Sequence, residues 1–554
     1  MPPDPRLPVV LCWHMHQPEY RDLATGEFQQ PWVYLHALKD YADMAAHLER
    51  CPQARAVVNF APVLLDQIDA YVADLAAWQR DGAALRDPLL AALAADALPA
   101  GTARARLLAS CLRVHHARMV APRPAHARLH ALAESAQQAD AAHWLSDACL
   151  FDLLTWYHLA WLGATVRAGS ALAQSLIEKG RNFTRGERHA LLGLVHETLA
   201  GLAPRYRALA ASGRVELAVS PYAHPILPLL LDFASAREAL PGAALPQAPH
   251  YPGGAERVAW HLEHGRAVGE RWFGQAPLGC WPSEGAVSAQ ALAAIAAAGF
   301  RWAATGHGVT AASCRRAGHD EQPHRAFRDA DSGLMLFPRD DTLSDRIGFV
   351  YAAWDAEAAV DDLEQALLGV AAHAEPGASM LAIVMDGENA WEHFADNAAP
   401  FLGTLYARLA THPRLRLATF GELTATLEPL ALPPLVAGSW VYGTLSTWIG
   451  ERAKNHLWDR LVAAKQASDA APAASVAAAA LRAERLAACE GSDWFWWPSD
   501  HQPATTVSAF EQLFHRHLLN LYTAIGQDAP AEVRTAALGD VPGEVSGPVM
   551  RPAS

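Results

Sequence analysis

The chain runs to 554 residues, 51% of them hydrophobic and 18% charged, with a net charge of −14. That length exceeds what one ordinary core serves and suggests a large catalytic barrel with an appended domain, or two to four smaller domains, while the composition excludes a disordered or membrane-embedded chain. The acidic balance, without any long basic block, excludes an electrostatic grip on nucleic acid or anionic lipid and favours a neutral substrate.

Short apolar, β-rich runs recur at wide intervals and predict strands over 7–13, 56–60, 215–219, 278–281, 302–305, 334–337, 380–385 and 415–420. Long Ala/Leu/Arg stretches of helical spacing lie between them, as over 288–299, where Ser288 can cap a helix and Gly299 can end it. This β-then-α rhythm is that of a parallel sheet. Polar residues follow the strands directly: His14 and His16, Asn59, Glu216 and Ser220, Glu284, His307, Arg339 and Asp340, then Asp386 and Glu388. Because so many strands contribute, a barrel with one functional face is preferred, although periodicity also allows an open doubly wound sheet. Residues from about 63 to 207 read as a helical insertion, too long for one crossover. The expected catalytic domain is 1–426, followed by a helical domain over 427–530 and an unstructured tail over 531–554.

Seven scattered cysteines, odd in number and without a Cys-x-x-Cys pair, fit a reducing compartment. The N-terminal segment lacks the basic start and cleavage site of a signal peptide. A cytoplasmic location is expected, and the sequon at Asn182 then has no meaning.

Five segments carry chemistry. In Trp13-His14-Met15-His16-Gln17-Pro18 two histidines share one face of a strand, suited to a metal or to sugar hydroxyls. Glu216 sits inside an apolar strand, where a charge is costly unless partnered, and His224 follows between two prolines. Glu284 follows the Trp281-Pro282-Ser283 strand end, at what reads as the start of a helix, where a carboxylate is favoured. Asp386-Gly387-Glu388-Asn389 opens straight from an apolar strand with Trp391 close behind, and its spacing does not match a calcium loop. The last is Glu490-Gly491-Ser492-Asp493-Trp494-Phe495-Trp496-Trp497. Trp281, Trp391 and Trp494 each adjoin an acid, and an indole there makes a platform for the C–H face of a sugar.

Together these segments resemble glycoside hydrolase family 57: His16-Gln17-Pro18, Gly213 to Glu216, Trp281 to Glu284, Asp386-Gly387-Glu388 and Ser492-Asp493-Trp494 match its five signatures in order, although Gly285-Ala286-Val287 matches the third only loosely. The stretches 221–230, 438–455 and 491–497 also look like a widespread bacterial subgroup of that family. The resemblance implies an α/β fold, a (β/α)7-type distorted parallel barrel with a helical insertion and a C-terminal helical domain. It implies a retaining enzyme on α-glucosidic bonds of α-glucan, without metal or cofactor. Glu284 then becomes the nucleophile and Asp386 the general acid/base, with His16, Glu216, Glu388 and Asp493 holding the sugar and His14, His224, Trp281, Trp391 and Trp494 completing the site.

Retention needs two carboxyl groups about 5 to 5.5 Å apart, one ionised and one protonated. Glu284, at a helix start, is expected to stay ionised, and Asp386, beside Glu388, to hold the proton. Water as acceptor gives an amylase or amylopullulanase, and a glucan hydroxyl gives a 4-α-glucanotransferase or branching enzyme. Two other classes stand beside these: a metal-dependent hydrolase or deacetylase using His14, His16 and an Asp, and a catalytically silent glucan-binding protein.

Overall fold

The computed structural model describes residues 4–138, 140–499 and 504–538. Ten strands form one sheet: β1 (Leu7–Met15), β2 (Ala56–Phe60), β3 (Val215–Val219), β4 (Gly279–Cys280), β5 (Trp302–Gly306), β6 (Phe327–Arg328), β7 (Met335–Arg339), β8 (Leu381–Asp386), β9 (Leu415–Ala418) and β10 (Leu430–Ala431). Their order is β10-β6-β7-β5-β4-β3-β2-β1-β8, with β9 against the first half of β1. Only the β6–β7 pair is antiparallel. The sheet curls until the end of β7 meets β8, where the Asp340 N–H bonds the Ala382 carbonyl at 2.8 Å and Arg339 Nε bonds that of Val384 at 2.6 Å. Strands β1 to β5, β7 and β8 thereby make a (β/α)7-type barrel.

The period of two along each strand builds both core and site. Val10 and Cys12, Val57, Ala218, Trp302 and Ala304, Met335 and Phe337, and Ala382 and Val384 fill the barrel interior. One step further along the same faces come His14, Asn59 and Asp386, and the register sets His14 beside both others. The outward faces, such as Val9, Leu11 and Trp13, join the larger core under the helices. Strands buried on both sides are therefore continuous apolar runs. Phe420, entering after β9, lies 4.7 Å from Phe337 and 4.6 Å from Trp302 and plugs the middle of the barrel. Each of these buried rings contributes about 1.5–3 kcal/mol.

Strand β9 stops at Ala418, short of the expected residue 420, because Thr419 caps the helix Phe420–Thr426 through Glu422 N–H. Strands β6 and β10, of two residues each, were not anticipated, whereas the equally short β4 lies within the run expected over 278–281. Between β2 and β3 the described chain is helical without a strand, from Pro62–Asp81 to Arg185–Ala211, the latter opened by a Thr184–Glu187 capping box. Beyond the barrel run the helices Arg452–Ala470, Val476–Cys489 and Ala504–Ala524. Ala531–Leu538, expected within an unstructured tail, is a further helix, and residues 539–554 lie outside the described residues. No described helix is long and apolar enough to cross a membrane.

Candidate active site

One pocket at the carboxyl ends of the strands is lined by His14, His16, Gln17, Pro18, Glu284, Asp386, Glu388, Asn389, Trp440, Ser492, Asp493, Trp496 and Trp497. Six of the eleven residues singled out in the sequence meet there: His14, His16, Glu284, Asp386, Glu388 and Asp493. Asp386 ends β8 on the interior face already traced through Ala382 and Val384. Glu284 arrives differently. It sits in a single 3-10 turn, Ser283–Gly285, with φ 57° and ψ 24°. This left-handed backbone is unfavourable for a residue with a Cβ, and strain of this kind collects at functional sites. Gly285 is left-handed as well, and a Cβ on it would lie 2.9 Å from the Trp281 ring.

No helix begins at Glu284. The helix starts at Ala289 behind its own cap Ser288, so the helix-dipole argument for an ionised Glu284 fails. What holds the residue is Trp440: its indole N–H donates to Glu284 Oε2 at 2.9 Å and its backbone N–H to the Glu284 carbonyl at 3.1 Å. The Arg339 guanidinium lies 5.1 Å from the centre of the Trp440 ring.

The two carboxyl groups titrate high. Burial, and then the charge of Asp386, push Glu284 up to about 8 against the Trp440 hydrogen bond. Burial pushes Asp386 to about 6, opposed by His16, Arg339 and Asn389. The expected division, an ionised Glu284 and a protonated Asp386, is therefore not built into the empty pocket. Near neutral pH the pair shares a proton, and burial biases it toward Glu284. Glu388 beside them is also raised by burial, although Gln17 Nε2 donates to it at 2.7 Å and Tyr41 donates its hydroxyl.

Two imidazoles line the pocket and a third lies behind them. His14 Nδ1 donates to Asn59 Oδ1 at 2.7 Å, an oxygen that also accepts from Ser220, so its Nε2 keeps a free lone pair. His16 Nε2 bonds Asp493 Oδ2 at 3.0 Å. His224, fully buried behind the lining, stacks on His16 at 3.8 Å with 20° between planes, bonds Ser492 Oγ at 2.9 Å and approaches Glu284 to 3.9 Å. Among the described residues, His16, His224 and Asp493 are the one group whose donor atoms could surround a metal, all within 4.8 Å. Near-parallel stacking sets the two imidazole lone pairs side by side instead of converging, so this donor set fits a metal poorly. It is not the His14–His16 pair that the sequence suggested.

Four sequence-derived site residues lie elsewhere. Glu216 faces the barrel interior one layer below Asn59, where Trp302 Nε1 and the Gly421 N–H each donate to it at 2.7 Å. It is the partnered, half-buried acid that an apolar strand demands, outside the lining. Trp281 is buried in the interior core against Trp440, Trp391 packs edge-on to Trp13 at 5.6 Å, and Trp494 donates to the Ala488 carbonyl. Adjacency to an acid in sequence brings an indole near the pocket, but alternate or helical facing turns it into the core. The aromatic lining is instead Trp440, Trp496 and Trp497. The last two had a legible signal, since Asp493, Trp496 and Trp497 follow the i, i+3, i+4 spacing of one helix face.

Residues 10–435 match the family model of glycosyl hydrolase family 57, well over half the chain. No curated protein matches it. Solved structures that share its fold include the following three. A branching enzyme from Thermococcus kodakaraensis is 14% identical, with a TM-score of 0.58, over 97% of this chain and 92% of that one. The α-amylase AmyC from Thermotoga maritima is 13% identical, with a TM-score of 0.56 and 96% of each chain covered. A 4-α-glucanotransferase from Thermococcus litoralis is 12% identical, with a TM-score of 0.53, over 93% of this chain and 60% of that one. At such identity these structures speak for the fold alone, whereas the family match covers the barrel and its pocket acids Glu284, Asp386 and Glu388: this chain belongs to glycosyl hydrolase family 57 and is an enzyme of that family.

Proposed function

We propose that the pocket cleaves α-glucosidic bonds of α-glucan with retention, through a glycosyl-enzyme on Glu284. The observation that carries this reading is one pocket at the strand ends lined by Glu284 and Asp386, whose carboxyl groups are both pushed up, together with imidazoles and indoles. Glu284 attacks the anomeric carbon as the bond to the leaving oxygen breaks, and that oxygen takes the proton of Asp386. In the second half Asp386 accepts a proton from the incoming hydroxyl, whose oxygen displaces Glu284. Reaction needs Glu284 ionised and the proton on Asp386, the form that the Trp440 N–H favours against the burial of Glu284. His16, Glu388 and Asp493 hold sugar hydroxyls, and Trp496 and Trp497 stack on the ring.

Water as the incoming group gives an amylase-type hydrolase, and a second glucan gives a 4-α-glucanotransferase or branching enzyme. The similar structures include an amylase, a branching enzyme and a glucanotransferase, which supports the α-glucan substrate and leaves both outcomes on the same site. The test is a product profile on amylose, amylopectin, pullulan and maltooligosaccharides, with product anomers read by NMR. Retained anomers from any of them bear the reading out. Inverted products would refute the mechanism, and binding without turnover would make the chain a silent glucan-binding protein.

A further inference from the structure

Behind the pocket lies a buried polar cluster that the chemistry above does not use. Glu490, fully buried, accepts hydrogen bonds from Tyr251 Oη at 2.5 Å, from Arg257 Nε at 2.9 Å and Nη2 at 2.7 Å, and from His261 Nε2 at 2.7 Å. Arg257 and His261 stand on the helix Gly254–Phe273 of the barrel layer, whereas Glu490 follows the helix Val476–Cys489 beyond the barrel. Arg257 Nη2 also reaches the Ala483 carbonyl. A carboxylate only accepts, so His261 carries its proton on Nε2 and turns the Nδ1 lone pair toward the Ala223 N–H at 3.4 Å. The His261 carbonyl accepts from the Tyr222 N–H at 3.0 Å.

Both neighbours of this cluster lead to the pocket. On one side, Tyr222 and Ala223 precede His224, whose backbone is left-handed at φ 59°. On the other, Gly491 separates Glu490 from Ser492 and Asp493. The two sides are then joined, since the Ser492 N–H bonds the His224 carbonyl at 2.9 Å and Ser492 Oγ bonds the His224 ring. We infer that Glu490, through His261 and Arg257, is a positioning residue that holds His224, Ser492 and Asp493 in the pocket geometry. Removing its charge leaves Arg257 buried without its partner, and both loops lose their common anchor. The Arg257 charge, with the His261 hydrogen bond, holds Glu490 down to about 2 despite burial, so the clamp is ionised throughout the working range.

The inference rests on the α-glucan reading only for its activity readout. Glu490→Gln preserves shape and turns an amide toward Arg257. In a crystal structure of this variant the His16–Asp493 and His224–Ser492 contacts should lengthen or break, and kcat per folded molecule should fall about 100-fold while KM changes much less. A merely structural role would lower Tm and the folded fraction and leave kcat per folded molecule unchanged. Should Glu490→Gln fail to fold, His261→Gln keeps a donor for Glu490 while withdrawing the acceptor from Ala223, and Tyr251→Phe removes a single hydrogen bond. His261→Gln should then lower kcat about tenfold, with Asp493 in place and His224 displaced. Unmoved contacts in every folded variant, or an unchanged kcat, overturn the clamp. An inactive wild type on α-glucan would refute the substrate reading, while the contacts in the variant structures would still decide the clamp.

Discussion

Trp440 holds Glu284 at two points, through its indole N–H to the carboxylate at 2.9 Å and its backbone N–H to the carbonyl at 3.1 Å. The activity of the pair requires a single shared proton, so the pH–rate profile should be bell-shaped. It falls as the second group protonates near the value of about 6 and as the last proton leaves near about 8. Trp440→Phe removes a hydrogen bond that favours ionised Glu284. Its alkaline limb should move to higher pH, with kcat/KM lower by about 10-fold or more, the worth of a hydrogen bond to a charged group. An unmoved limb would show that the indole does not tune Glu284.

Glu284→Ala and Asp386→Ala should both abolish turnover of natural glucan, and azide should tell them apart. With an activated substrate, Glu284→Ala should yield a glycosyl azide of inverted configuration, because azide takes the place of the missing nucleophile. Asp386→Ala should still form the glycosyl-enzyme and return the retained azide. The opposite pairing, read from NMR of the products, would exchange the two roles.

The tryptophans separate into two groups with different penalties. Trp496→Ala should raise KM several-fold with little loss of stability, since its half-buried ring lines the pocket, whereas Trp497→Ala should raise KM and also lower stability, since that ring lines the pocket and stacks on Phe510 at 4.8 Å. Trp281→Ala, Trp391→Ala and Trp494→Ala empty fully buried sites and should each cost about 3–5 kcal/mol of stability. Thermal melts alongside substrate saturation curves would distinguish the groups.

A carboxyl group held high in the folded state destabilises the fold wherever its unfolded counterpart has ionised. For Glu284 the penalty is absent at pH 4, grows as pH rises past the ordinary glutamate value of 4.5, and is complete above about 8. Glu284→Gln should therefore melt higher than wild type at pH 9 and alike at pH 4. Equal melting at both would mean that Glu284 ionises freely in the fold. Glu490 has the opposite sign: its contribution is complete above 4.5 and is lost as pH falls toward about 2.

Strands long enough to show an apolar run, such as β2 and β3, were legible to the residue, whereas the two-residue β6 and β10 were not. The pocket acids were legible because a polar residue at the end of an apolar strand has few other reasons to be there. Facing was harder. Glu216 and Asp386 both lie on interior faces, yet one is a layer too deep to reach the pocket, a difference set by strand register and invisible in either segment alone. Trp440 comes from a loop beyond the last strand of the expected barrel, and only the closing of the chain upon itself brings it to Glu284.

The barrel supplies Glu284 and Asp386, but Ser492, Asp493, Trp496 and Trp497 come from the far end of the chain. During synthesis, the barrel strands leave the ribosome with both acids in place and one wall of the pocket still unmade. At ordinary elongation rates roughly 5 to 20 s pass before Asp493 follows Asp386 out. A nascent chain in that interval has Glu284 and Asp386 and lacks Asp493, the partner of His16, together with Trp496 and Trp497. The pocket is therefore complete only once residues 492–497 have followed the barrel, and the order of the sequence sets when its walls come together.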